Sequence, residues 1–298
     1  MQPHTWKDLI KKVALTVSAL WVTLVLWGLL FAWRKVPEYI PEGNAILPLP
    51  IMSSEEYGGL INSHPRPYIF SIEIANGGGV LIFGAEHTKD PKDPQIARIQ
   101  EEWDLFDPSV ALVESRLGIM FPGLMDPVET FSEPGKVHAL AREDGNPTYT
   151  WEPPTDIMME RLLAQPFTQE QIALRVVLGP AFSARRFGTS EDSEAIVKES
   201  LQDKKDWRGI EGVFASLEDV DAAWADYFPE GPDWRDVSDE YGLPGFLGEI
   251  ETNLPRDEHF IQVIIELVEQ GERVFAIAGV SHAVKIEPAL QGYFADHP

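Results

Sequence analysis

The sequence predicts an α/β fold: a central, largely parallel or mixed sheet with helices on both faces, behind an N-terminal transmembrane helix. Three observations predict it. Short apolar runs (VLIFG, SVALV, VFAIAG) alternate with segments of helical periodicity. Asn76-Gly77-Gly78-Gly79 joins two strand-like runs as a hairpin turn, which adds one antiparallel pair. One uncharged stretch, residues 13–33, differs in kind from all that follows.

That stretch comes first. Twenty-one residues in a helix rise about 31 Å, the thickness of a bilayer core. Trp21, Trp27 and Trp33 punctuate it, and Trp33 falls where an interfacial aromatic belongs. A signal peptide is the competing explanation, but the apolar run exceeds a usual h-region and no small-x-small cleavage site follows. Lys7, Lys11 and Lys12 precede the helix, against Arg34 and Lys35 after it. The bias puts residues 1–12 in the cytoplasm and the bulk of the chain on the extracytoplasmic side of the membrane.

Residues 34–67 are rich in Pro and Gly and read as a linker that lifts the domain off the membrane. The α/β domain then spans 68–298. Tyr68–Glu73 and residues 79–83 read as the hairpin strands, and 93–105 as a helix with Ile96, Ile99 and Trp103 on one side. Residues 109–114 are a strand, 118–127 a Gly/Pro/Met loop, 135–142 a short helix, and 147–151 a strand stopped by Pro153-Pro154. Thr155–Leu163 and 168–178 read as successive helices. Thr168, with Glu170 and Gln171 behind it, suits a helix start.

Residues 188–248 carry dense acid and scattered aromatics, Trp207, Phe214, Trp224 and Trp234 among them. The aromatics need burial, so this is a helical insertion and not a disordered tail. Residues 257–270 form the clearest amphipathic helix, closed by Gly271 at the usual glycine position. A strand at 274–278 ends the pattern.

Charge excludes one class of partner. Residues 1–35 carry five Lys/Arg and one Asp; the rest carry 19 Lys/Arg against 47 Asp/Glu. So acidic a domain is repelled by nucleic acid and anionic polymers. The absence of Cys excludes disulfides, thiolate zinc sites and cysteine nucleophiles.

The candidate chemistry sits where the apolar runs end. Gly84-Ala85-Glu86-His87 closes one run and Gly279-Val280-Ser281-His282 closes another. Glu114 ends a third and Glu152 a fourth. Each alone has a bland explanation, such as a strand cap, a helix cap or a turn. Jointly they matter more, because a parallel sheet brings its strand ends to one edge. Two His with a carboxylate suit a divalent Mn, Co, Zn or Fe ion, with His87, His282 and Glu114 as ligands. The same groups permit metal-free hydrolysis, a His activating water and a Glu orienting it. Arg256-Asp257 opens the strong helix. Asp257 fits there through the helix dipole, and Arg256 either faces solvent or reaches the cleft to hold a carboxylate or an oxyanion. A Gly-x-Ser-x-Gly elbow, a His-Glu-x-x-His helix and a phosphate-binding Gly-rich loop are all missing from the sequence.

Taken in order, LIFGAEH, ALVESR, GKVHALAREDGNPTYTWEP, NLPRDEHF and VFAIAGVSH resemble the TraB/PrgY, Tiki, GumN, ChaN and erythromycin-esterase superfamily. The likeness covers about residues 68–290. Family patterns show Gly-Glu where this chain has Gly135-Lys136, and 188–248 has no counterpart. The resemblance implies a site of His87, Glu114, Arg256 and His282, with Glu152 matching a carboxylate of some members. It implies a membrane-anchored hydrolase acting on a peptide or small ester. The family also contains members associated with haem or iron and members that limit peptide pheromones. The alternative is therefore a non-catalytic protein that binds haem, iron or a peptide.

Overall fold

A computed structural model describes residues 6–31, 35–186, 192–237 and 242–297. Trp33 and Arg34, used above for the interface and the orientation, lie outside the described residues, as does Gly188. Helix α1 (Trp6–Phe31) contains a span, Leu9–Gly28, that is long and apolar enough to cross a membrane and has no buried residue. A signal sequence has the same properties.

The sheet has five strands: β1 (Tyr68–Glu73), β2 (Gly79–Ala85), β3 (Val110–Val113), β4 (Thr148–Thr150) and β5 (Arg273–Gly279). Their spatial order is β1-β2-β5-β3-β4, with β1 antiparallel and the other pairs parallel. The sheet is thus largely parallel, with one hairpin at its edge. Gly77, at φ 90°, makes that hairpin turn possible. Asn76 accepts from Gly78 N–H and donates to the Val268 and Glu269 carbonyls, so the turn also caps a distant helix end.

Period-two alternation gives each face its own helices. Val80, Ile82, Val110, Leu112, Val274 and Ala276 face α10 (Leu254–Glu269) and α11 (Val280–Asp296). Leu81, Phe83, Ala111, Val113, Phe275 and Ile277 face α3 (Pro94–Phe106) and α4 (Pro127–Asp144). Helix α3 opens on an Asp93 cap with Pro94 in its first turn and stops at Asp107, which is left-handed at φ 50°.

Three elements differ from the sequence expectation. Residues 34–67 do not act as a spacer over their described length. Val36 is buried, Glu38 bridges Thr150 beyond β4, and Tyr39, Leu47 and Ile51 pack on the sheet core. Glu266 and Gln262 on α10 hydrogen-bond this arm at Tyr39, Glu42, Gly43 and Ala45. Within the arm, α2 (Ser54–Leu60) is closed by a Ser53/Glu56 capping box. The prolines that suggested a linker rule out helix, not packing.

The short helix at 135–142 is the second half of α4. That helix breaks at Phe131 and Ser132, the latter at φ 57°, just ahead of Pro134. The sequence carries no helix-start signal after 279, yet α11 starts at Val280, so His282 occupies its first turn.

Between β4 and α10 lies a helical layer with its own core. It comprises α5 (Thr155–Leu163), α6 (Gln169–Arg186), α7 (Ser193–Lys204), α8 (Leu217–Tyr227), a 3-10 turn (Trp234–Asp236) and α9 (Phe246–Glu249). Met159, Leu162, Ile172 and Phe182 pack with Val197, Trp224 and Trp234. The helices of 155–186 therefore share one core with the acidic stretch, which is folded around its aromatics.

Candidate functional site

Parallel pairing aligns the C-terminal ends of β2, β5, β3 and β4 on one edge. His87 follows β2, Glu114 follows β3, Glu152 follows β4, and His282 follows β5. Arg256 comes from the first turn of α10. All five candidate side chains meet there.

Gly279 is the centre of the meeting. A Cβ at this position would stand 3.3 Å from His87 Nε2, 3.5 Å from Glu114 Oε2 and 3.7 Å from His282 Cδ2. The two imidazoles are therefore at most about 7 Å apart by the triangle of those distances. Gly84 serves a different purpose: a Cβ there would lie 2.8 Å from Ala283 Cβ and 2.9 Å from Tyr68 O. One motif glycine opens the cleft and the other lets α11 sit down on β2.

Each motif histidine has a carboxylate at Nδ1. His87 Nδ1 lies 3.4 Å from Glu133, which is wholly buried and also accepts from Thr88 N–H. His282 Nδ1 bonds Asp257, also wholly buried, and Asp257 pairs with Lys285 Nζ at 2.9 Å. Such partners fix the ring orientation and aim Nε2 outward. His87 remains 43% exposed at the mouth, while His282 is buried.

Arg256 ties the cluster together. Nε donates to Glu152 Oε2 at 2.9 Å, and Nη2 donates to Glu152 Oε1 at 2.5 Å and to Glu114 Oε1 at 2.8 Å. Nη1 reaches Asn253 Oδ1 at 3.1 Å and His282 Nε2 at 3.2 Å. All five N–H groups of the guanidinium are engaged. Arg256 can only donate, so in the neutral form of His282 this contact leaves the ring proton on Nδ1, toward Asp257.

Trp151 is the floor. It lies 5.3 Å edge-on from His282 and 5.3 Å beneath Arg256, and its indole N–H bonds Ile277 O.

The electrostatics follow. Burial opposes ionisation of Glu114, but His282, Arg256, His87 and the Gly279 N–H at 2.6 Å together hold its carboxyl down at about 2. Burial likewise opposes the charge on Asp257, and His282 and Lys285 outweigh it, so its pKa is lowered. Burial disfavours the Arg256 cation too, yet Glu152 and Glu114 raise its pKa further. Backbone geometry adds to the setting, since Ser115, directly after Glu114, sits at φ 87°.

Around these groups lies a cleft of about 380 Å³ between the sheet edge and the helical layer. His87, Glu114, Arg256, Gly279, Ser281 and His282 line one wall; α6 and α7 supply Arg175 and Lys204 on the other. Glu152 does not line it; it stands behind Arg256. Gly279 is the N-cap residue of α11, its N–H is held by Glu114, and Ser281 and His282 of the first turn line the cleft.

The geometry bears on two expectations. The first is that Arg256 holds a substrate carboxylate or an oxyanion: in this arrangement its donors are engaged with Glu114, Glu152, Asn253 and His282. The second concerns a divalent ion on His87, His282 and Glu114. Glu114 commits one oxygen to Arg256 and the other to Gly279 N–H, and the Arg256 cation occupies the direction of the His282 Nε2 lone pair. Among the described residues, no group of three or more His, Cys, Asp or Glu side chains is arranged to hold a metal. As arranged, these residues do not fit a resident divalent ion.

Sequence reasoning missed Glu133, Ser281, Arg175 and Lys204, and gave Asp257 only a role at the helix dipole. The Pro134 break was the available signal for Glu133. Nothing local marks Asp257, whose importance lies in being buried against His282. The carboxylate that α4 contributes is Glu133, while Lys136 bonds Gln100 on α3, away from the cleft.

Comparison with protein-family models yields no match to this chain, and comparisons with curated proteins and with solved structures likewise yield none.

Proposed function

We propose that the chain is a membrane-anchored hydrolase of the Tiki/TraB type, cleaving a peptide or small ester by metal-free His/Glu chemistry. One observation carries this reading: two imidazoles, each backed by a buried carboxylate, share one cleft with the first turn of α11. In this scheme His87 Nε2 takes a proton from water, and the water oxygen adds to the substrate carbonyl carbon. The first-turn N–H groups of α11 receive the oxyanion. His87 then returns the proton to the leaving alcohol or amine as the C–O or C–N bond breaks. Glu133 orients His87, and the Asp257–His282–Arg256–Glu114 chain keeps the same wall of the cleft rigid and charged.

The test uses the purified full chain with a panel of activated esters and peptides. His87→Ala and His282→Ala are each expected to cost on the order of 10²-fold or more in turnover, and EDTA is expected to leave turnover unchanged. Undiminished turnover in both variants would sink the reading. Saturable binding of haem, iron or a peptide without turnover would assign the cleft to a non-catalytic binding protein.

The same reading takes α1 as a single-pass anchor, with the acidic domain on the extracytoplasmic side. Its support is the apolar span Leu9–Gly28, free of buried residues, with Trp27 stacked on Phe121 of the domain at 5.8 Å. An intact mass that retains residues 1–33, with resistance to carbonate extraction, is expected. A mature chain beginning beyond residue 33 would make the segment a signal sequence.

A further inference from the structure

We propose that residues 117–125, the loop after β3, enter the interface of the bilayer that α1 spans and form a second membrane contact beside the anchor. This contact rests on the reading of α1 as an anchor given above and is independent of the hydrolysis.

Composition makes the first argument. Between Arg116 and Asp126 the chain reads LGIMFPGLM, nine residues without a charge. Leu117 and Met120 are buried and root the loop in the domain. Ile119, Leu124 and Met125 are left in the open, at 67%, 73% and 37% exposure. Large apolar side chains bared this close together form a patch, and such patches mark a contact surface.

Shape makes the second. Phe121-Pro122-Gly123-Leu124 is a tight turn, in which Leu124 N–H donates to Phe121 O at 3.1 Å and Gly123 lies at φ 80°. Asp126 closes the far side by capping α4 at the Val128 and Glu129 N–H groups. The apolar tip is thus held out on a fixed backbone, and inserting it loses little conformational entropy.

Position makes the third. The Phe121 ring stacks on Trp27, with centroids 5.8 Å apart and 17° between the planes. A Cβ on Gly28 would lie 3.3 Å from the same ring. Trp27 and Gly28 end the apolar span Leu9–Gly28. In a spanned bilayer that turn lies at the interface, where aromatic side chains settle. The chain then joins the domain at once: Val36 is buried, and Glu38 pairs with Arg116 at 3.1 Å. The bilayer is therefore the apolar phase that the anchor already brings to this depth. With a net charge of −24, attraction to lipid has to be apolar and not electrostatic. Glu114 stands seven residues before Phe121, so the cleft lies within about 25 Å of the contact. The loop seats the cleft edge of the sheet beside the headgroups.

The experiment uses single cysteines, since the chain has none of its own. Ile119→Cys, Leu124→Cys, Leu20→Cys and Leu105→Cys each receive one nitroxide label, in the full chain reconstituted in phosphatidylcholine vesicles. Electron paramagnetic resonance compares collisions with oxygen, which concentrates in lipid, and with a nickel chelate, which stays in water. Leu20 lies within the apolar span and reports the anchor. Leu105 is as bare as Leu124 but belongs to the opposite sheet edge, next to Phe106, whose carbonyl bonds Arg273 at the start of β5. Labels at 119 and 124 should show an oxygen-to-nickel ratio at least about threefold that at 105. Adding Leu124→Asp should lower the ratio at 119 at least about twofold, because a carboxylate resists insertion. Lipid at 20 with water at both 119 and 124 overturns the loop contact and leaves the anchor intact. Water at 20 defeats the anchor, and the loop contact with it. Labels at 119 and 124 closed to both reagents overturn the contact in favour of a protein partner or a second copy of the chain. A ratio at 119 unmoved by Leu124→Asp overturns insertion of the tip.

Discussion

Arg256 grips Glu152, 104 residues away, through Nε at 2.9 Å and Nη2 at 2.5 Å. The same guanidinium holds Glu114 and faces His282. A lysine keeps the charge but not the fork, and cannot span two carboxylates and an imidazole. Arg256→Lys is expected to lower stability by about 2–4 kcal/mol, somewhat less than outright loss of a buried partner. It should cut turnover at least tenfold. Urea unfolding and steady-state kinetics check the two effects separately.

The motif glycines should respond oppositely to alanine. Gly279 has φ −59°, which alanine tolerates, but the methyl would enter the space between His87 and Glu114. Gly279→Ala should fold with a stability change within about 1 kcal/mol and lose most turnover. Gly84→Ala drives a methyl into Ala283 and the Tyr68 carbonyl, so it should destabilise the fold by about 1–3 kcal/mol. Equal unfolding midpoints for the two variants would contradict this assignment.

Asp257 holds His282 and neutralises Lys285, which is only 3% exposed. Asp257→Asn should cost about 3–5 kcal/mol by leaving that ammonium buried and unpaired. The double variant Asp257→Asn/Lys285→Met should recover most of the stability. Its turnover should stay depressed, since the His282 ring has lost its orienting carboxylate. Recovery of turnover in the double variant would show that Asp257 acts only through stability.

Glu133 supports His87 and the Thr88 N–H from inside the break in α4. Glu133→Ala is expected to cost about 1–3 kcal/mol for the unsatisfied N–H. It should also lower kcat more than KM changes. A circular dichroism spectrum like that of the native chain would confirm that α4 survives.

Acid should expose the role of Glu114. Its carboxyl titrates at about 2 in the folded chain against a usual 4.5. Its stabilising contribution is fully present above the usual value and disappears as pH falls through about 2. The stability gap between native and Glu114→Gln chains should therefore shrink between about pH 4.5 and 2. A gap constant over that window, followed by urea unfolding, would disprove a buried carboxylate held by these cations.

Much of the fold was legible because period carries burial. The VLIFG and VFAIAG runs are strands between two helical layers, and apolar residues on both strand faces announce that. The turn at Asn76-Gly77-Gly78-Gly79 and the helix start at Thr168 follow from local chemistry. The packing of the arm after α1 is not legible in the sequence, because proline signals the absence of helix without saying what the extended chain packs on. The start of α11 is not legible in the sequence, because strand passes directly into helix at Gly279, which has no side chain to signal a cap.

The sequence by itself determined which chemical groups the strand ends carry: His87, Glu114, Glu152 and His282, with Arg256 opening a helix. Strand alternation and parallel crossover are local patterns, so these could be read along the chain. Only the tertiary structure decided what those groups do to one another. It saturates Arg256, places a carboxylate behind each imidazole, and sets Arg175 and Lys204 on the facing wall. Those relations join residues scores of positions apart. Their chemistry depends on burial and distance, which fix charge and proton position and which no local spacing encodes.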